Sequence, residues 1–154
     1  MNILEVQQGD FTISTDKQKL DITLIHQFIS NTYWAKDLPL NIMEDAIRGS
    51  MCFGIYHQHK QVGFARLITD MATFAYLADV FVIPEYRGQG LSKWLIKTIT
   101  ELPGLQLLRR WMLATADAHG LYQQFGFTQI TNPERFMQKH NPDIYTQLKS
   151  SGSI

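Results

Sequence analysis

Cysteine is almost missing from this chain of 154 residues: Cys52 stands alone. No internal disulfide can brace the fold, which suits a reducing compartment, and a cytoplasmic location is the expectation. A prevailing charge is missing too. Fourteen Lys and Arg face fourteen Asp and Glu, so no polybasic character points to nucleic acid or to an anionic membrane surface. Hydrophobic residues make up 45% of the chain without forming a run long enough to cross a bilayer, the composition expected of a soluble globule. The amino-terminal stretch MNILEVQQGDF lacks a basic region followed by an apolar one, so no secretory signal is expected. No repeat, linker or low-complexity segment subdivides the chain, and its length suits a single domain over residues 1–154. His57 and His59 have metal-compatible spacing but no further ligands around them, so a solvated hairpin tip and no metal are expected.

What is present centres on Phe74 to Leu102. An apolar strand, FAYLADVFVI, carries Asp79 as its one charged residue and ends at Pro84. Such a run suits a strand covered on both faces. From Leu91, the apolar residues Trp94, Leu95, Ile99 and Leu102 recur at helical spacing until Pro103-Gly104. Arg87-Gly88-Gln89-Gly90-Leu91-Ser92 lies between. The first amides of a helix lack carbonyl partners and sit at the positive end of the macrodipole, so an anion is stabilised there. Glycines at 88 and 90 allow close backbone approach, and Arg87 adds a charged donor fork.

Spacing separates the phosphate binders. A nucleotide P-loop needs four residues between its first glycine and Gly-Lys-Ser/Thr, which Gly88-Gln-Gly90-Leu-Ser-Lys93 does not supply. A dinucleotide fingerprint needs glycine where Lys93 stands. The pattern Arg/Gln-x-x-Gly-x-Gly/Ala after a strand ending Val82-Ile83-Pro84 does fit, and it resembles the signature of the GNAT superfamily of acyl-CoA-dependent N-acyltransferases. Ser92 departs from the usual glycine or alanine at the sixth position, but it is small and can itself donate to an anion.

The rest of the chain agrees with that resemblance. A strand over Phe11–Thr15 is expected first. Next comes a helix capped by Asp21, with Ile22, Ile25 and Ile29 on its apolar side, and then a second, with Asn41 and Glu44 as a capping box, ending at Gly49. Met51–Tyr56 and Val62–Thr69 read as a hairpin, Leu107–Ala116 as a strand, and a short helix starts near Asp117 and closes at Gly126. Phe127–Thr131 and Phe136–Gln138 read as closing strands, and Ser150 to Ser153 as frayed. Leu121-Tyr122-Gln123-Gln124-Phe125-Gly126-Phe127 is similar to the Leu-Tyr-x-x-x-Gly-Phe element of the same family. The resemblance implies an α/β (α+β) fold with a mixed, mostly antiparallel central sheet flanked by helices.

It also implies a function: transfer of an acetyl group from acetyl-CoA to a primary amine by direct attack in a ternary complex. The acceptor is a small molecule or a peptide. Arg87, Gly88, Gln89, Gly90, Leu91 and Ser92 would hold the CoA pyrophosphate, and the backbone of Phe81 and Val82 would meet the pantetheine arm. Tyr122 is the candidate acid for the departing thiolate, since a phenol keeps its proton at neutral pH; the competing role is packing between helix and sheet. Asp79 is the candidate base, with desolvation raising its pKa; the competing role is a structural carboxylate paired with Arg66, Arg109 or Arg110. Strand alternation places Asp79 on the face of Phe81. Tyr33, Trp34 and Phe136 are candidate pocket walls, His119 a solvated first-turn residue, and Cys52 a small buried one. A non-catalytic CoA sensor, a longer acyl donor and a homodimer paired through a carboxyl-terminal sheet edge complete the expectations.

Overall fold

The computed structural model describes residues 2–152. Five strands follow one another antiparallel across one sheet: β1 (Glu5–Gln8), β2 (Phe11–Ser14), β3 (Met51–His57), β4 (Lys60–Thr69) and β5 (Phe74–Val82). β6 (Arg110–Leu113) joins parallel to β5 at the far edge. Helices α1 (Ile22–Ile29) and α2 (Leu40–Arg48) are inserted between β2 and β3, and α3 (Leu91–Thr100) follows β5. α4 (His119–Gln123) and α5 (Ile144–Ser151) come after β6.

Local chemistry explains most of these elements. Leu24 donates its amide to the Asp21 carboxylate at 3.1 Å, capping α1, and Ile25 and Ile29 then face inward. The Asp21 amide donates in turn to the buried Gln61 side chain, which donates to the Gly63 carbonyl, so the cap is tied to β4. Leu91, Leu95, Ile96 and Ile99 form the buried stripe of α3 and share the core with Phe53, Ile55 and Leu67 on one face of the sheet, while Phe64 and Phe81 face Phe28 of α1 on the other. Burying each such side chain contributes about 1.5–3 kcal/mol.

Several expectations are corrected. β1 was not expected; its EVQQ sequence is polar, and it forms by pairing with β2 across the Gly9–Asp10 turn. α2 begins at Leu40 behind Pro39 with no side-chain cap, so Asn41 and Glu44 make no capping box. The strand expected over Leu107–Ala116 shrinks to Arg110–Leu113, and α3 stops at Thr100. Phe127–Thr131 and Phe136–Gln138 form no strands. A space of about 620 Å³, lined by Trp111, Phe127, Thr128 and Phe136, separates this segment from β6. Ser150 and Ser151, expected to fray, belong to α5, which Gly152 ends in the left-handed conformation; Ser153 lies outside the described residues. α5 is tied to the chain ahead of α2 by Lys149, which donates to Asp37 at 3.2 Å.

Candidate active site

The site begins where two parallel strands part. β5 and β6 pair from Phe74↔Arg110 to Leu77↔Leu113, and there the pairing stops. Beyond Leu77, β5 keeps β4 on one side and has an edge without a strand on the other. A cleft of about 670 Å³ opens there, between Ala78–Val80 and the Leu113–Ala118 segment.

β5 is also irregular at this point. Phe64 pairs with Phe81 and Arg66 with Ala78, so two steps along β4 answer three along β5. Asp79 takes up the extra residue with φ of 55°, a left-handed conformation that costs an L-residue about 1–2 kcal/mol and that Asp tolerates better than most. The expected alternation therefore fails: Phe81 falls in line with Ala78 instead of Asp79. The Asp79 carboxylate accepts from Arg66 Nε at 2.8 Å and, at 3.4 Å, from Trp34 Nε1. Arg66 donates onward to Ser50 Oγ at 3.0 Å. The pairing with Arg66 is the structural alternative weighed from the sequence, and the pair faces the cleft.

At the far end of β5, the Ile83 amide continues the ladder to the Val62 carbonyl, and Pro84–Tyr86 form one 3₁₀ turn. Gly88 and Gly90 come next, with φ of 82° and 78°. A Cβ on either would meet nothing within 4 Å. These glycines are thus demanded by backbone conformation alone, and they leave an open surface at the mouth of α3, where no side chain caps the first amides. Leu91 is buried, so only its main chain can face a ligand, whereas Ser92 is half-exposed. Arg87 donates its Nε to the Val82 carbonyl at 2.9 Å, which holds the guanidinium beside the loop. Gln89 reaches back to the Tyr86 carbonyl at 3.4 Å. This open, amide-rich surface with Arg87 beside it fits a diphosphate. Phe81 and Val82 are buried, with the Phe81 ring stacked on Phe28 at 4.0 Å, so they too can contribute only backbone.

α4 brings Tyr122 to the same cleft. Its ring is 8% exposed and packs edge-on to Phe127 at 5.9 Å. Burial pushes its phenol pKa up from the ordinary value, so it stays protonated throughout the neutral range. Asp79, Tyr122, Tyr33 and Trp34 all line the cleft. Phe136 does not: it lies under the Arg110 guanidinium, 4.7 Å from its ring centre, against the 620 Å³ space on the other side of β6.

Tyr76, Tyr145 and Asp117 also line the cleft and were not singled out from sequence. Tyr145 lies in the first turn of α5, a helix that no sequence signal announced. His57 is not part of a solvated tip: it stacks on Phe11 at 4.9 Å and hydrogen-bonds the Tyr86 hydroxyl at 3.0 Å. Cys52 is buried, its thiol pushed up to about 11 by desolvation, too high for a nucleophile.

The glycine loop at the mouth of α3 and Tyr122 of α4 stand on the elements that the resemblance to the GNAT superfamily assigns them. Residues 48–129 match the family model described as the acetyltransferase (GNAT) domain. A protein of Gibberella zeae, provisionally described as an acetyltransferase, is 37% identical over 136 residues, covering 75% of this chain and 77% of that protein. A peptidyl-lysine N-acetyltransferase of Salmonella typhimurium is 28% identical over 124 residues, 79% of this chain and 77% of the relative. A crystal structure from Xanthomonas campestris pv. campestris, of a protein provisionally assigned to the GNAT acetyltransferases, superposes with a TM-score of 0.86 at 51% identity, covering 88% of this chain and 96% of that one. The chain belongs to the GNAT acetyltransferase family. Its sheet of six strands flanked by helices is the fold it shares with that crystal structure.

Proposed function

We propose that the protein moves an acetyl group from acetyl-CoA to a primary amine by direct attack within a ternary complex. The observation that carries this reading is the pair of open, positive-φ glycines at the mouth of α3, placed at the end of the strand that lines the Asp79–Tyr122 cleft. Acetyl-CoA supplies an activated thioester. The main-chain amides of Gly88 to Ser92, with Arg87, hold its diphosphate, and the backbone of Phe81 and Val82 aligns the pantetheine arm.

In the transfer, a nitrogen–carbon bond forms and the carbon–sulfur bond breaks. Tyr122 gives its proton to the departing sulfur. Asp79 takes the proton that the amine loses, directly or through water. Arg66 on Oδ2 fixes the carboxylate, while Oδ1, with only the 3.4 Å contact from Trp34, keeps its capacity to accept.

Calorimetric titration with CoA, followed by thiol release from acetyl-CoA over a panel of amines, tests the reading. Saturable CoA binding with amine-dependent thiol release is expected. CoA binding without release from any amine would leave a sensor, and no binding at millimolar CoA would end the assignment.

A further inference from the structure

We propose that the cleft selects a primary amine carried on a flat apolar body, an arylalkylamine without a carboxylate; this rests on the acetyl-transfer reading above and specifies its acceptor. Besides Tyr122, four aromatic side chains reach the cleft from three separate parts of the fold: Tyr33 and Trp34 from the segment between α1 and α2, Tyr76 from β5 and Tyr145 from α5. Tyr33 and Trp34 meet edge to face at 5.2 Å and 86°, yet they remain 75% and 50% exposed. They leave large π faces open at the cleft, and such faces favour an aromatic partner and a nearby cation.

Charge narrows the ligand further. Among the described lining residues the one cation is Arg66, and both Asp79 and Ser50 already hold it. A free amino acid would bring a carboxylate with no cation to receive it, and burying it unpaired is costly. Asp117 also lines the cleft, at the exposed approach to α4, and takes part in none of the ion pairs among the described residues. With Arg66 and Asp79 cancelling, the lining carries one net negative charge, suited to an arriving ammonium. Apart from Thr115, the remaining wall is apolar, including Ile42, Ala46 and Leu113. A volume near 670 Å³ is of small-ligand size.

The test compares 2-phenylethylamine with butylamine, phenylalanine and a lysine-containing peptide as acceptors. 2-Phenylethylamine should exceed each of the others at least tenfold in kcat/KM. Tyr33→Ala and Trp34→Ala should each cut the phenylethylamine-to-butylamine ratio several-fold, mainly through KM, and Trp34→Phe should restore much of it; thermal melts check that the variants fold. Equal or better use of butylamine, phenylalanine or the peptide would overturn the proposal, and so would a ratio that survives both alanine variants. Calorimetry with 2-phenylethylamine alone separates the two readings. Binding that depends on Trp34, in a protein that ignores CoA, would sink acetyl transfer and leave the cleft assignment standing. CoA binding and turnover without phenylethylamine binding or use would do the reverse.

Discussion

Arg66 holds Asp79 across the bulge between β4 and β5, Nε to Oδ2 at 2.8 Å, with side chains only 16% and 9% exposed. The partner that satisfies the carboxylate also helps keep its residue in a left-handed conformation inside a strand. Strain, charge and position in the cleft therefore coincide at one residue.

Breaking the pair separates the two roles of Asp79. Arg66→Leu leaves a mostly buried carboxylate uncompensated and should cost about 3–5 kcal/mol in a urea titration. Asp79→Asn keeps the shape of the side chain and removes its basicity. If Asp79 accepts the proton of the amine, kcat at neutral pH falls about 10²-fold with CoA affinity nearly intact. An unchanged kcat on a less stable protein would make the residue structural.

The glycine loop predicts an effect on ligand binding distinct from packing. Gly88→Ala and Gly90→Ala meet no neighbour but must adopt positive φ, so each should lose about 1 kcal/mol of stability. Each also places a methyl group on the open surface, and CoA affinity should fall by about tenfold or more. Gly120→Ala, equally uncrowded, lies within α4 at an ordinary φ and should be stabilising by roughly 0.5–1 kcal/mol. Calorimetry on the three variants checks both halves.

Tyr122→Phe should lower kcat about 10²-fold with CoA affinity nearly intact. Because burial raises the phenol pKa, no loss of activity from this group is expected between pH 7 and 9. An equal fall in turnover and CoA affinity would assign Tyr122 to packing.

Stability should decline on the alkaline side in two stages. Cys52, Tyr56 and Tyr122 all have folded pKa values raised by desolvation. For each, the folded state binds the proton more tightly than the unfolded chain, so its contribution is complete below the unfolded pKa and lost as pH rises above it. Cys52 acts first, from about pH 8.5 up to about 11, and the tyrosines act from about pH 10. Cys52→Ala should remove the first stage of pH dependence in denaturant titrations. Native Cys52 should also stay silent towards a thiol reagent at pH 8, leaving the thiol of released CoA readable.

The parts of the site legible from residues alone were those made by consecutive positions. Gly88 and Gly90 require a particular backbone, Asp21 caps the helix that starts beside it, and the stripe of α3 repeats with the turn of the helix; local sterics and hydrogen bonding dictate all three. Tyr122 was found because its element has a recognisable pattern around it. The polar strand β1 and the helix α5 carry too little apolar periodicity to be seen: β1 forms where β2 offers a pairing edge, and α5 docks with Tyr145 against the core and Lys149 on Asp37.

What the order of residues determined by itself was a strand, a glycine turn and a helix, together with the family they signify. The tertiary structure decided the rest: where β5 leaves β6, that the bulge turns Asp79 towards Arg66, and that Tyr33, Trp34, Tyr76 and Tyr145 share one cleft while Phe136 lies beyond β6. Those facts depend on pairing register and on contacts between residues as much as 112 positions apart, such as Asp37 and Lys149. No local propensity encodes such contacts, because their energy exists only once the sheet has assembled.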